Sequence, residues 1–496
     1  MRSFIPFVTI AALTLALDAH AEGRRAPLPT GASPTLPSEL TETDPAGLTA
    51  DEVGKRAATS NFNVKAYEAT LHAAAARVDE AWVSFLPKIT GVVRAMDLSN
   101  FSPPPIDLPI PSGLDEVFTT EGPQKPGAAL NTRELVASPL KSFSFAPVLH
   151  QYLLEASIVV PISDYFLRIN QAYSAATHSR DAASYDAGAA RAKALADGKV
   201  AFYTWLRARG AAVVAIQALY EQKAHLADAT NQFAVGGASK ADVLLAETAV
   251  ASAELAVERT KDLAALTEKQ VRLAIHAKDS ERVTAAEDLE TSLPPGEPAL
   301  SRLTEEALGT RLEVKSMEAN AAAARNRASL ARAAIIPTII AFGDAIDGNP
   351  NPRVVPQNNQ WTATWDIGVE LTWSPNEAMG GGFAGSRAAS EADALDAQRS
   401  AIRDGIKLEA MQAYQAVRQG DVALEVTKRE VASATEAYRA ARDLFMVGRA
   451  AGTLLIDAET ELTHARLEAL NAKADARIAR VRLDHALGRD ARRPAD

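Results

Sequence analysis

Few side chains in this 496-residue sequence are grouped so that they could do chemistry. Gly380, Gly382 and Gly385 spell G-x-G-x-x-G between a strand pattern and a helix pattern, the spacing that seats a dinucleotide pyrophosphate on a helix N-terminus. That use requires a further strand ~20 to 30 residues on with an acid at its end. Here Ser386 opens a long helical pattern, so the glycines read as a flexible strand-to-helix turn. His72, His150, His178, His225, His276, His464 and His485 are scattered without H-x-x-x-H spacing, and solvated helix faces account for them. The acid pairs Asp279/Glu281 and Glu287/Asp288 have the residue type for acid-base work but lie in a polar linker, where hydration is expected. The absence of cysteine removes disulfides, thiolate metal sites and thiol nucleophiles. The expectation is a non-enzymatic chain with no catalytic, cofactor-binding or metal-binding residues. Asp242 and Asp457, each shortly after a glycine break in a helical pattern, are the carboxylates left to consider. An ordinary helix-surface charge explains them as well as a pore-lining role does.

With no reacting centre to position, the elements themselves must carry the function. The stretch Trp361 to Trp373, WTATWDIGVELTW, separates without error into two faces. Trp361, Ala363, Trp365, Ile367, Val369, Leu371 and Trp373 share one, and Thr362, Thr364, Asp366, Gly368, Glu370 and Thr372 the other. Period two means a strand. Extended, it runs roughly 40 Å, and tilted as barrel strands are it climbs ~30 Å, enough for a lipid-facing band with Trp361, Trp365 and Trp373 as membrane-interface aromatics.

The chain opens with Arg2, an apolar run from Phe4 to Leu17 and the A-x-A pattern Ala19-His20-Ala21, the form of a secretory signal peptide. No later stretch reaches the ~18 consecutive apolar residues of a spanning helix. Any membrane insertion must therefore be by strands. A hydrophobic content of 47% with only 6% aromatic residues points to long packed helices. The net charge of −10 argues against nucleic acid as a partner.

After the signal peptide (1–21) and a Pro-rich extended linker (22–48), a first repeat spans 49–278. It holds a helix ended by Pro87, a strand at 88–97, an outer loop at 98–147, a strand at 148–162, and a long helical hairpin whose tip lies near Gly236. A linker (279–299) follows. The second repeat (300–488) holds a helix ended by Pro337, a strand at 335–344, a loop at 345–360, the Trp strand at 361–374, and a hairpin from about Ala384 with its tip near Gly448; 489–496 is a tail. FAVGGASKADVLLAETAVASAEL (Phe233 to Leu255) lies over FMVGRAAGTLLIDAETELTHARL (Phe445 to Leu467) without a gap, which marks a duplication. Val417, Leu424, Val431, Tyr438 and Phe445 recur every seven residues with Gly420, Thr427, Ala434 and Ala441 between them, the seam of close side-by-side helices.

Two repeats supply four strands, too few to close a membrane barrel, and an open edge in lipid would strand backbone polar groups. Oligomerisation is expected, and three chains would supply twelve strands. The other reading is a soluble periplasmic coiled-coil scaffold whose strands form an ordinary sheet.

Helix-ending Leu86-Pro87 and Ile336-Pro337, the doubled F-x-V-G hairpins and Asp457-Ala458 occur in an order and spacing that resembles the TolC-type outer-membrane efflux protein family, from about Thr49 to Leu487. The resemblance implies a mainly α fold with a transmembrane β part: long antiparallel hairpins forming a helical barrel, and four strands per chain in a homotrimeric twelve-stranded β-barrel. It implies an outer-membrane exit duct reaching into the periplasm of a Gram-negative cell, with a periplasmic adaptor protein, an inner-membrane transporter and outer-membrane lipid as partners, and no cofactor. Phe233, Gly236, Phe445 and Gly448 would then be adaptor-contacting hairpin tips, and Asp242, Asp457 and Arg449 would form the pore constriction. Two positions depart from the family pattern. Leu454 stands where the second repeat would carry its Asp, and Ala450 where gated members often carry Arg, with Arg449 beside it.

Overall fold

The computed structural model describes residues 43–100, 106–107, 142–143, 148–278, 280–291, 293 and 299–491. The signal peptide, most of the extended linker, most of the 98–147 loop and the end of the tail lie outside these. Among the described residues the longer helices and the strands follow in order: α1 (Ala50–Ser60), α2 (Phe62–Val83), β1 (Lys88–Asp97), β2 (Ile106–Asp107), β3 (Ser142–Phe143), β4 (His150–Val160), α3 (Asn170–Ala234), α4 (Lys240–Ala274), α5 (Leu300–Thr310), α6 (Leu312–Arg332), β5 (Thr338–Asn349), β6 (Thr362–Thr372), α7 (Pro375–Met446) and α8 (Gly452–Ala486). No described helix is long and apolar enough to cross a membrane.

Two compact units are formed. One gathers Ala208–Leu263 and Val431–Leu467; the other gathers Thr43–Arg207, Ala264–Glu430 and Glu468–Asp496.

The larger unit holds the sheet, in the order β1-β4-β5-β6 with every pair antiparallel. Register and the two-residue period give it two unlike faces. On one, Ile89 pairs with Ile158, Val93 with Leu154, Gly343 with Ile367 and Ala341 with Val369. On the other lie Lys88, Thr90, Arg94, Glu155, Ser157, Asp344, Thr364, Asp366 and Glu370. Among the described residues nothing packs on the apolar face. Val93 is 82% exposed, Ile367 79% and Trp365 77%, values that in water would mark a large unpartnered patch.

β5 extends beyond the expected 335–344, because Asp347 and Gly348, placed in the loop, keep the alternation and pair with both neighbours. Ala333–Ile335 is a 3-10 turn instead of its first residues. β4 reaches α3 through one π-helical turn, Tyr165–Ile169. Arg168 fixes that junction, donating to Asp164 at 2.9 Å and to the Thr338 hydroxyl at 2.6 Å.

The G-x-G-x-x-G glycines are not a turn, for they lie inside α7. A Cβ added at Gly381 would fall 2.6 Å from that of Ala334, so this stretch serves close packing of α7 against the end of the preceding helical segment.

Both helices that precede a strand pair are interrupted, at Asn61 and at Arg311, each a single extended residue (ψ 129° and 125°). α1 starts as expected of Thr49, whose hydroxyl accepts from the Glu52 N–H at 3.2 Å. The 279–299 linker is more ordered than its polarity suggests. Ala285 bridges Leu48 in parallel, and Val283, Ala285 and Leu289 join Val53, Phe202, Trp205 and Val271 in a core. Its acids are used as clamps. Glu281 pairs with Arg56 at 2.7 Å, and Glu287 accepts from the first N–H of α1. A second core joins Leu303, Val314, Ile406, Val417 and Leu483.

Candidate functional site

The smaller unit contains both hairpin turns. Each ends a helix in the same way. Gly236 (φ +77°) and Gly448 (φ +68°) take the left-handed conformation, and the next N–H reaches back to the carbonyl five residues earlier: Gly237 to Gln232 at 2.8 Å, Arg449 to Leu444 at 2.9 Å. This is the glycine stop that the duplicated F-x-V-G anticipates.

The two phenylalanines of the repeat part company. Phe233 is 47% exposed, with Val235 and Val447 exposed beside the turns. Phe445 is 4% exposed and packs among Ala229, Ala246, Ala441 and Leu455, so it is core and cannot present a surface to an adaptor. The heptad explains this. Phe445 closes the stripe Val417–Leu424–Val431–Tyr438, all of it buried or half-buried, while Phe233 sits in the last turn of α3 on an uncovered side.

The expected constriction residues are not brought into contact with one another. Asp242 closes a reciprocal capping box: its carboxylate accepts from the Ser239 N–H at 2.9 Å and hydroxyl at 2.7 Å, and its own N–H donates to the Ser239 hydroxyl at 3.2 Å. The backbone of Gly452, the first residue of α8, lies against it, and its N–H adds to the stabilisation of the carboxylate. The Ser239 hydroxyl above all, then the two backbone donors, hold the Asp242 carboxyl below the usual carboxylate range. Asp457 and Arg449 are exposed, and neither forms an ion pair with the described residues. Leu454, 48% exposed, leaves the second repeat without a carboxylate of its own at that position.

The buried polar cluster of this unit lies deeper. His225 Nδ1 and Glu459 Oε2 are 3.1 Å apart, with side chains 1% and 2% exposed. The Phe445 ring meets the imidazole edge-on, 5.4 Å between centroids. Burial pushes the Glu459 carboxyl up, and the hydrogen bond with His225 opposes that shift. Around this pair, Arg442 reaches Asp228 at 3.1 Å and Arg466 reaches Glu221 at 2.9 Å, tying α7 and α8 to α3. Tyr438 beside them is pushed up to about 12, chiefly by burial. His225 therefore departs from the solvated-face expectation. So does His485 in the larger unit, where burial, then nearby Arg311, lowers its pKa. The signal for His225 was present but indirect: on α3 it falls on one face with Gln222 and Ala229, and only the packing of α8 reveals that Glu459 opposes it.

No group of three or more His, Asp or Glu among the described residues is arranged to hold a metal. The sheet supplies the other functional surface, with tryptophans at different heights on its apolar face. Trp361 stacks near Tyr152 at 6.2 Å, Trp365 lies mid-strand, and Trp373 donates its indole N–H to the Ile335 carbonyl at 3.3 Å. Such a band fits lipid.

A model of the outer membrane efflux protein family matches residues 53–277 and 303–489. Among solved structures, the chain is similar to the outer-membrane channel OprN, with 17% identity, 93% of this chain and 97% of that one covered, and a TM-score of 0.69. It is similar to the CmeC outer-membrane channel of Campylobacter jejuni, at 14% identity, 97% and 94% covered and a TM-score of 0.69. The open state of the Neisseria gonorrhoeae MtrE outer-membrane channel gives 16%, 88% of each chain and 0.69. Comparison with curated protein sequences returned no match.

Proposed function

Because the chain belongs to the outer membrane efflux protein family, we propose that three copies assemble into one continuous export duct that an adaptor couples to an inner-membrane pump. The chain itself is an outer-membrane efflux channel and not an enzyme. The observation that carries the assembly is the open sheet. Among the described residues β1 and β6 each have one unpaired edge, and the face of Ile89, Val93, Trp365 and Ile367 is exposed. In hydrocarbon each edge would leave a row of N–H and C=O groups without partners, at a cost of several kcal/mol per group. Joining the β6 edge of one copy to the β1 edge of the next removes every edge when the ring closes. Three copies of four strands make twelve, within the range of membrane barrels. The soluble-scaffold reading fails on the same face, since a water-facing sheet would not expose Trp365, Ile367, Val369 and Leu371 in one row.

In this duct the turns at Gly236 and Gly448, with Phe233, Val235 and Val447 exposed around them, form the end that meets the adaptor. Asp457 and Arg449, without an ion-pair partner among the described residues, supply charge at the entrance, and the Arg442–Asp228 and Arg466–Glu221 ties hold the hairpins together there. Detergent extraction followed by mass measurement tests the assembly. A trimer recovered from outer membranes is the expected result; a detergent-free soluble monomer overturns it.

A further inference from the structure

The connection between β5 and β6 does not continue outward from the strand ends. Asn351 is 1% exposed, and its side-chain amide donates to the Thr362 carbonyl at 2.7 Å and to the Thr364 hydroxyl at 3.1 Å. Its Oδ1 accepts from the Arg353 N–H at 2.8 Å, and its carbonyl accepts from the Val354 N–H at 3.1 Å, which closes a tight turn. Arg353 then places a guanidinium nitrogen 2.8 Å from Asp366 Oδ1. Thr364 and Asp366 both belong to the polar face, and Asp366 lies four residues in from Thr362. At ~3.3 Å per residue, Arg353 therefore reaches roughly 13 Å back along the strand.

The same rung carries a second carboxylate. Asp344 pairs in register with Asp366 and has no ion-pair partner among the described residues. One rung further in, the Phe342 ring lies across Gly368, where an added Cβ would fall 2.8 Å from its tip.

We infer that the Pro350–Gln360 connection is a strap folded inside the exit of the duct, and that Asp344, Asp366 and Arg353 make the exit a second, charge-selective narrowing. The inference rests on the duct reading, which puts the polar face inside. Arg353 neutralises one of the two carboxylates in each chain, so a closed ring of three chains presents three uncompensated carboxylates at one height, above a ring of phenyl groups. A confined ring of one sign favours cations over anions, and an aromatic face beneath it favours cations further. Asn351 holds the strap by uncharged hydrogen bonds and Arg353 by charge, so the two contributions can be separated.

The chain has no cysteine, so a single introduced thiol reports without background. In planar bilayers, the purified Arg353→Cys trimer treated from the outer side with a charged methanethiosulfonate should lose current in three steps, one per chain, reversed by reductant. Ala363→Cys, on the apolar face, should not respond. Before modification, Arg353→Ala should shift the reversal potential under a salt gradient toward cation preference. Asn351→Ala, which leaves the charge alone, should raise conductance with no such shift. On whole cells, a small impermeant thiol reagent should label Arg353→Cys and a long polyethylene glycol maleimide should not. Labelling by both, or unaltered current at Arg353→Cys where Asp366→Cys is blocked, puts the connection outside the rim and overturns the strap. An unshifted reversal potential in Arg353→Ala overturns the charge assignment. Absence of current from the unmodified trimer counts against the duct itself, and the labelling result then decides the strap independently.

Discussion

Asp242 lies against two helices at once: its carboxylate closes the capping box with Ser239 at the start of α4 and also sits beside the backbone of Gly452, where α8 begins. A Cβ added at Gly452 would lie 2.9 Å from Asp242 Oδ1. The second repeat has Leu454 at the equivalent position, and the acid of the first repeat lies beside the start of its helix.

Asp242→Asn should therefore loosen both returning helices. The loss of a cap is worth about 1 kcal/mol, and amide exchange at 240–246 and 452–456 should quicken together. Ser239→Ala should affect the first set more than the second. The pH dependence has a definite sign. The pKa of Asp242 is lowered in the folded chain from 3.8, so its contribution is complete above that value and is lost as pH falls through the folded value. Wild-type protection at the turns should decay below about pH 4, whereas the Asn variant should start low and stay flat.

Asp457→Asn removes a charge that holds no helix end. Hairpin exchange should be unaltered, while cation preference in single-channel recordings weakens. Unchanged selectivity would mean that this carboxylate faces away from the conduit.

The buried His225–Glu459 pair should respond differently to two substitutions. Glu459→Ala leaves an imidazole nitrogen unpaired in a closed core and should cost about 3 kcal/mol in the stability of the smaller unit. Glu459→Gln keeps the shape without the buried charge. Because the Glu459 pKa is raised from 4.5, the wild-type contribution is fully present below that value and is lost as pH rises through the folded one. The Gln variant should thus gain on wild type as pH rises above 4.5, read by thermal unfolding across a pH series.

Arg442→Ala unties α7 from α3 at Asp228, an interaction with side chains 31% and 19% exposed. It should raise channel conductance, and raised salt should narrow the gap between variant and wild type, since part of this pair is open to screening.

The two faces of β6 should tolerate charge unequally. Ile367→Arg puts a guanidinium into the apolar band and should cost about 2–4 kcal/mol, preventing recovery of trimer from membranes. Thr364→Arg, three residues away on the polar face, should still assemble and instead alter conductance.

The Trp361 to Trp373 alternation was legible because a strand between fat and water must sort its side chains by turns. The hairpin stops were legible for a related reason: Gly236 and Gly448 sit where the backbone turns left-handed, and the duplication shows them twice. Asp347 and Gly348 misled at the end of β5, since residues that favour turns in isolation are held extended by ladders on both sides. The glycines from Gly380 to Gly385 misled as well, because α7 runs straight through them, with Gly381 and Gly385 set against the preceding helical segment by a contact absent from any local pattern. The caps and clamps were hidden most completely. Asp242 with Gly452, His225 with Glu459 and Glu281 with Arg56 join residues far apart in the chain, and their composition is that of any hydrated helix surface. Phe445 looked equivalent to Phe233 until the third helix covered one and left the other bare.

The single-residue breaks at Asn61 and Arg311 have a mechanical consequence. Each lies between a short helix tied into a core and the longer helix that leads to a strand pair, and the two are anchored by different means. Asn61 accepts from the Asn63 N–H at 2.7 Å, whereas Arg311 is gripped by Glu313 and Glu409, both at 3.0 Å, and by the carbonyls ending α8. Bilayers differ in thickness by a few Å, and a spanning structure adapts by tilting. The Arg311 joint is held by charge and the Asn61 joint by neutral contacts, the Ser60 hydroxyl on the Ala274 carbonyl and the Phe62 ring against His276, so a change of tilt should be taken up more readily at Asn61 than at Arg311.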